Sequence, residues 1–284
     1  MKKYIVAILS VCFAASVFTA CSKNDDNLDI PLMYEGDKYA KNAIDTFIIN
    51  EYIIPYNISV KFRWDPFEVP TNKFLVPVKE DVVIPVMTIV KQIWINPYEQ
   101  MLGKGFIQKY APKQYVLVGS ANYNNDGTIV LGEAEGGRKI TLYQLNKFDR
   151  KNVPFVKQML HTIHHEFAHI LHQTILYQRE YKQITPGGYT ATWYNTSNAQ
   201  ALALGFITPY ARSNSDEDFV EMISTMLVEG KAGFDAIVNA QTPAARDLLR
   251  RKEALVSAYM LDKWKVDIYE LQTITQAAIA QATN

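Results

Sequence analysis

Val153–His172 reads Val-Pro-Phe-Val-Lys-Gln-Met-Leu-His-Thr-Ile-His-His-Glu-Phe-Ala-His-Ile-Leu-His, and it holds all five histidines of the chain. Within it lies His165-Glu166-Phe167-Ala168-His169, an H-E-x-x-H run. At about 100° per residue, Val156, Leu160, Ile163, Phe167 and Ile170 gather on one side, while His161, His165, His169 and His172 gather on the other. Asn152 can cap the first free N–H groups and Pro154 fits a first turn. The pattern predicts a helix over about 153–176, buried on its apolar side with histidines facing a cleft. One turn apart, His165 and His169 can hold a single Zn²⁺, and Glu166 can reach a water on it as general base. The bland alternative is an amphipathic helix with surface histidines.

A catalytic zinc takes three protein ligands and a water. His172 lies about 10 Å along the axis from His165, too far for a bond of about 2 Å to the same ion. Ile175 stands ten residues after His165, so the three-histidine pattern with that spacing is excluded. His161 and His164 read as bystanders or rim residues, and His172 as a possible partner of a ligand. The third ligand is therefore expected from a downstream carboxylate. The best region is Tyr210–Met222. Ser213 to Ser215 offer caps, Asp216, Glu217 and Asp218 fill a first turn, and Phe219, Ile223, Met226 and Leu227 recur at helical spacing. Glu217 and Glu221, at i and i+4, project to one face.

Tyr210, Arg212, Asn214, Glu217, Phe219 and Glu221 spell Y-x-R-x-N-x-x-E-x-F-x-E. Together with the H-E-x-x-H run, this resembles the gluzincin peptidases related to anthrax lethal factor over roughly residues 153–230. The resemblance implies that Glu217 is the third zinc ligand, that Tyr210 stabilises the oxyanion, and that Glu221 orients a zinc-bound histidine. The whole chain resembles zinc-binding metallopeptidase lipoproteins found beside outer-membrane nutrient-import systems. That implies a peptide or glycopeptide substrate and an import complex as partner. A second class stays open: a non-catalytic accessory lipoprotein that keeps the zinc fold as scaffold. Glu166, the candidate ligands and Tyr210 are all present, which favours the enzyme.

At the start, Lys2 and Lys3 precede an apolar run from Tyr4 to Val17 and then Phe18-Thr19-Ala20-Cys21. The arrangement predicts a secretory signal over 1–20, too short to span a membrane. Thr-Ala-Cys resembles a bacterial lipobox, which implies cleavage before Cys21 and membrane attachment through lipid on its thiol. Residues 21–36 read as a lipidated tether, and the acidic stretch after Cys21 resembles surface-export signals of some outer-membrane lipoproteins. The chain has only two cysteines. Cys12 leaves with the signal and Cys21 carries lipid, so no disulfide is expected and stability must come from a core. With 284 residues and 48% apolar composition, that core is attainable. The formal charge is zero, and no basic surface invites nucleic acid.

Residues 37–284 are expected to form the folded body. Ala40–Tyr52 reads as a helix, Tyr56-Asn57 as a turn and Ile58–Trp64 as a strand. Val83–Ile95 reads as a helix with Pro85 in its first turn, followed by a second helix from Asn96 through Tyr110. Tyr115–Gly119, Thr128–Leu131 and Ile140–Leu145 read as strands, with Asn124–Gly127 as a hairpin turn. Leu248–Trp264 and Ile268–Ala280 read as helices. This order predicts an α+β, zincin-like fold: a small mixed sheet packed on the active-site helix, then a mainly helical C-terminal part. An edge strand could pair with an extended peptide, either Thr128–Leu131 or Ile140–Leu145. The aromatic connection from Tyr177 to Pro209 could wall the cleft. Arg246, Arg250, Arg251 and Lys252 read as a solvated face.

Overall fold

A computed structural model describes residues 40–124, 127–130, 132–135 and 138–284, with backbone alone over 132–135. The expected signal, the tether and Cys21 lie outside the described residues. Lys41–Asn284 pack as one unit. No described helix is long and apolar enough to cross a membrane.

α1 (Ala43–Ile48) starts three residues later than expected, because Asn42 and Asp45 form a reciprocal cap: each side chain accepts the other's backbone N–H. The helix runs on through a π-helical stretch, Ile49–Ile53, and a last turn, Ile54–Tyr56. Asn57 then takes the left-handed conformation (φ 55°) and turns the chain into β1 (Ser59–Lys61). α2 (Glu80–Val90) begins earlier than the apolar pattern suggested, since Glu80 and Asp81 favour the positive end of a helix. Pro85 therefore sits inside the helix and not in its first turn. A second π-helical stretch, Lys91–Ile95, leads into α3 (Asn96–Leu102), and its Ile93, Trp94 and Ile95 are all buried. The predicted single helix to Tyr110 is broken at Gly103 (φ 78°), after which α4 (Lys104–Tyr110) begins.

The remaining strands are β2 (Gln114–Leu117), β3 (Asn122–Tyr123), β4 (Ile129–Val130), β5 (Gly132–Glu135) and β6 (Lys139–Leu142). The main sheet has the order β1-β2-β6-β5. β1, β2 and β6 are parallel, and β5 is antiparallel to β6 with Ala134 opposite Ile140. β3 and β4 form a separate antiparallel hairpin, with Tyr123 opposite Ile129. Its turn, of which Asn125 and Asp126 lie outside the described residues, is closed by Asn124 N–H donating to Thr128 O at 2.8 Å. Neither predicted edge is an edge of the main sheet. Ile140–Leu142 is flanked on both sides, and the 129–130 segment belongs to the hairpin. The edge beside the long helix is β5, whose Gly-Glu-Ala-Glu sequence lacks the β-branched and aromatic residues that mark strands.

α5 (Val153–Thr174) is capped by Asn152 and ends when Ile175 turns extended. Its apolar face is buried, and Phe167 stands edge-on to Trp94 and Tyr98 at ring distances of 5.3 and 5.2 Å. The connection that follows carries α6 (Arg179–Lys182) and α7 (Asn198–Ala203). α8 (Ser215–Asn239), α9 (Pro243–Trp264) and α10 (Ile268–Thr283) complete the helical part. α8 packs along α5 and is kinked at Gly230 (φ 66°). The fold is thus mixed α+β with small sheets and a helical C-terminal part.

One surface expectation fails. Lys252 is fully buried, with Nζ 2.6 Å from the equally buried Asp218 Oδ2 and a bond to Gly205 O at 2.7 Å. A charge-counting reading placed it in water because its neighbours in sequence are charged. Tertiary packing supplied a counter-ion instead.

Candidate metal centre

Two helix positions bring the predicted site residues together. On α5, His165 and His169 lie one turn apart, with Nε2 atoms 3.2 Å from each other. On α8, Asn214 Oδ1 accepts from the N–H groups of Asp216 and Glu217, which fixes the helix start. Glu217 in that first turn then places Oε2 3.1 Å from His165 Nε2 and 3.2 Å from His169 Nε2. A tetrahedral ion with bonds of about 2.0–2.1 Å separates its ligand atoms by about 3.3 Å. The three donors, 3.1–3.2 Å apart, nearly match that spacing.

The other nitrogen of each histidine is already engaged. His165 Nδ1 lies 2.7 Å from Glu221 Oε1, so Nδ1 donates and Nε2 keeps its lone pair. His169 Nδ1 lies 3.0 Å from His172 Nε2. Burial drives His172 down to about 4, so its ring is neutral and its Nε2 can accept from His169 Nδ1. With both histidines protonated on Nδ1, three acceptors converge, and a cation between them satisfies all three. Without a metal, a proton on His165 serves: burial works against it, but hydrogen bonds to Glu217 and Glu221 raise the ring to about 10. Burial would raise Glu217, yet its bonds to His165 and His169 hold it down at about 2. The residues present therefore fit a zinc ion bound by His165, His169 and Glu217.

Glu221 belongs to a denser network. Its Oε1 also meets His161 Nε2 at 2.9 Å, and its Oε2 accepts from Thr208 Oγ1 at 2.6 Å. His161, His165 and Glu221 also cluster in a way that could hold an ion. The 2.7 and 2.9 Å separations are shorter than the spacing around a zinc and fit hydrogen bonds better. Burial favours a neutral Glu221, but His161 and His165 outweigh it and hold the carboxylate ionised.

Glu166 is 9% exposed and offers an oxygen within 4.8 Å of His165 and His169 nitrogens. Tyr210 opens a short 3₁₀ turn, Tyr210–Arg212, and its ring lies 5.8 Å from that of His165. Burial raises its phenol well above the usual range, and the charges of Glu217, Glu166 and Glu221 push the same way, so it stays a proton donor. Arg212 fastens the preceding loop, donating to Gly188 O and Thr196 Oγ1. Glu166, Tyr210, His161, His165 and Glu221 share a cleft of about 370 Å³ with Asn124, Thr128, Ile129, Val130, Thr162 and Trp193.

His164 is not on the rim. It is buried on the far side of α5, with Nδ1 3.2 Å from Tyr98 Oη, and burial holds it at about 3. Sequence reasoning gave no role to Thr208, which no motif marks, and left His161 aside although it shares a helix face with both candidate ligands.

A family described as "putative zinc-binding metallo-peptidase" matches residues 37–269. No curated protein matches the chain. Among solved structures, a crystal structure described as a putative zinc-binding metallo-peptidase from Bacteroides caccae is similar. It is 36% identical with a TM-score of 0.72, and the match covers 85% of this chain and 91% of that one.

Proposed function

The chain belongs to the putative zinc-binding metallo-peptidase family, and from that premise we propose that it is a zinc-dependent peptidase of the gluzincin type, with His165, His169 and Glu217 holding the metal. The observation that carries this is the convergence of one oxygen and two nitrogens at 3.1–3.2 Å, drawn from two packed helices. When bound, zinc supplies Lewis-acid polarisation of a carbonyl and acidification of water.

The protein's own groups supply the rest. Glu166 stands one residue from His165 and faces the cleft, where its carboxylate takes a proton from the attacking water and returns it to the leaving amine. Tyr210 keeps its proton and donates a hydrogen bond to the oxyanion that develops on the carbonyl, a contact worth about 3 kcal/mol of barrier elsewhere. Glu221 and His172 each engage a Nδ1 atom and so keep both Nε2 lone pairs aimed inward. Thr208, in turn, holds Glu221.

The lipobox-like Cys21 supports attachment to the outer membrane by lipid, and peptides or glycopeptides taken up by a nutrient-import complex fit as substrates. Glu166→Gln keeps the shape of the site and removes the base. Zinc-loaded wild type should cleave a peptide pool, and the variant should be at least a hundredfold slower with unchanged zinc content. Equal rates would reject the mechanism. Absence of cleavage by zinc-loaded wild type would favour the accessory-lipoprotein reading.

A further inference from the structure

The loop between β1 and α2 presents rings to the outside while it is held firmly from within. Val69 and Leu75 pack inward with Val130 against Val116, Val118 and Tyr143, on the face of the main sheet opposite the buried Tyr115, Leu117, Ile140 and Leu142. Glu68 accepts from Gln114 Nε2 at 2.7 Å, and its carbonyl accepts from Lys139 Nζ at 3.2 Å. Val76 N–H donates to Ser120 Oγ at 3.0 Å, and its carbonyl accepts from Gly119 N–H at 2.9 Å. The loop is thus laid across the sheet and pinned at both ends. Side chains that do not turn inward stand clear of it. Phe67 is 94% exposed and Phe74 fully so, the two most exposed large apolar side chains among the described residues, and Trp64 and Val76 are exposed as well. Rings held out in water by a pinned backbone mark an interaction surface.

We propose that this loop, Trp64 to Val76, is a membrane-contact plate whose rings enter the interfacial zone of a lipid bilayer and orient the cleft at its surface. The inference rests on the lipid-anchor reading of Cys21 and adds how the anchored body sits. Asp45, in the turn that Asn42 caps, pairs with Arg63 through both carboxylate oxygens, at 2.6 and 2.8 Å. Arg63 immediately precedes Trp64, so the plate begins where the chain coming from Cys21 enters the folded body. Twenty residues lie between Cys21 and Asn42, which joins a lipid on Cys21 to the body on the plate's side. Tryptophan and phenylalanine settle readily at a membrane interface. A fluid bilayer accepts rings that stand singly, whereas a protein partner must offer each a matched surface. Basic and acidic residues balance over 61–81, four of each, so the attraction comes from the rings and not from anionic headgroups. Lys73 ties the loop to the β3–β4 hairpin, donating to Tyr123 O at 2.6 Å and to Asn124 Oδ1 at 3.3 Å. Asn124 and Ile129 of that hairpin line the metal cleft, so a seated plate holds the cleft beside the membrane.

The test reads Trp64 in lipid. The full chain, produced with its own signal and checked for lipid on Cys21 by mass spectrometry, is placed in phosphatidylcholine vesicles with ordinary or brominated acyl chains. Of the four tryptophans, Trp94 and Trp264 are buried and Trp193 lines the cleft, so Trp64 is the one that bromine should quench. Trp64→Phe should remove the quenched component. Phe67→Ser together with Phe74→Ser should abolish most of the quenching with zinc content and denaturation midpoint unchanged, and high salt or added anionic lipid should alter it little. If Cys21 carries no lipid, the same protein is added to preformed vesicles, where the rings alone should give quenching and the two serines should lower vesicle affinity about tenfold. That outcome rejects the anchor and leaves the plate standing. Unquenched Trp64 in protein with lipid on Cys21 rejects the plate and leaves the anchor. Unquenched Trp64 in unlipidated protein, quenching that survives the two serines, or shielding of Trp64 only where two copies cross-link through this loop would each overturn the proposal.

Discussion

At the scale of single residues, the site turns on which nitrogen of each histidine carries a proton. The H-E-x-x-H spacing made His165, Glu166 and His169 legible from sequence, because one turn of helix is enough to bring two rings to one point. It could not say what holds each ring, since Glu221 and His172 act through distances that no spacing prints. Nor could periodicity alone separate Glu217 from Glu221. What separates them is Asn214, whose cap sets the helix start and puts Glu217 on the Nε2 side and Glu221 on the Nδ1 side of His165. A consequence can be measured. With His165 near 10 and Glu217 near 2, the metal-free site at pH 7 holds one proton on the ring and an ionised carboxylate. Zinc needs that ring neutral, so uptake should release about one proton per ion. Apparent affinity should then rise up to about tenfold per pH unit and level off as the pH passes about 10, where the free ring has already lost its proton. Calorimetry in buffers of different ionisation enthalpy reads the proton directly. A release of zero between pH 6 and 8 would contradict the hydrogen-bond pattern.

At the scale of elements, apolar periodicity located α5, α8 and the C-terminal helices, but it overlooked the places where a helix stops being regular. The clearest is the kink in α8. Gly230 adopts φ 66°, which breaks the ladder and frees carbonyls one turn before it. Two glutamines one turn apart on α10 take them up: Gln272 Nε2 donates to Met226 O, and Gln276 Nε2 donates to both Leu227 O and Val228 O. A sequence reader sees two polar residues on a C-terminal helix and has no reason to aim them at another helix's backbone. A Cβ at position 230 would meet Gln276 Cγ at 2.7 Å in a backbone conformation that side chains disfavour. Gly230→Ala should therefore cost about 1–3 kcal/mol, read as a lowered denaturation midpoint. An unchanged or raised midpoint would show that the kink is not held as described. β5 was invisible for a related reason. Its place is set by pairing with β6, not by propensity, so its Gly-Glu-Ala-Glu sequence carries no strand signal.

At the scale of the whole molecule, the task of the fold is to fix the start of α8 against the middle of α5. One fastening lies in the interior, where Lys252 of α9 pairs with Asp218, the residue after Glu217. Removing one member leaves a buried charge, so Lys252→Met should destabilise by about 3–5 kcal/mol, and replacing both members by apolar residues should cost less. A double variant weaker than the single one would contradict this pairing. The mixed α+β order was legible because the strands precede the long histidine-bearing helix α5 and helices follow it. The burial of Lys252 was not, because a counter-ion 34 positions away leaves no local trace. On the proposed reading, two histidines and one glutamate from these two helices enclose a single zinc. Its most direct test is a crystal structure of the zinc-loaded protein with anomalous data at the zinc edge. One peak is expected, about 2.0–2.2 Å from His165 Nε2, His169 Nε2 and a Glu217 carboxylate oxygen. A peak between His161 and Glu221, or an empty site after loading with excess zinc, would contradict it.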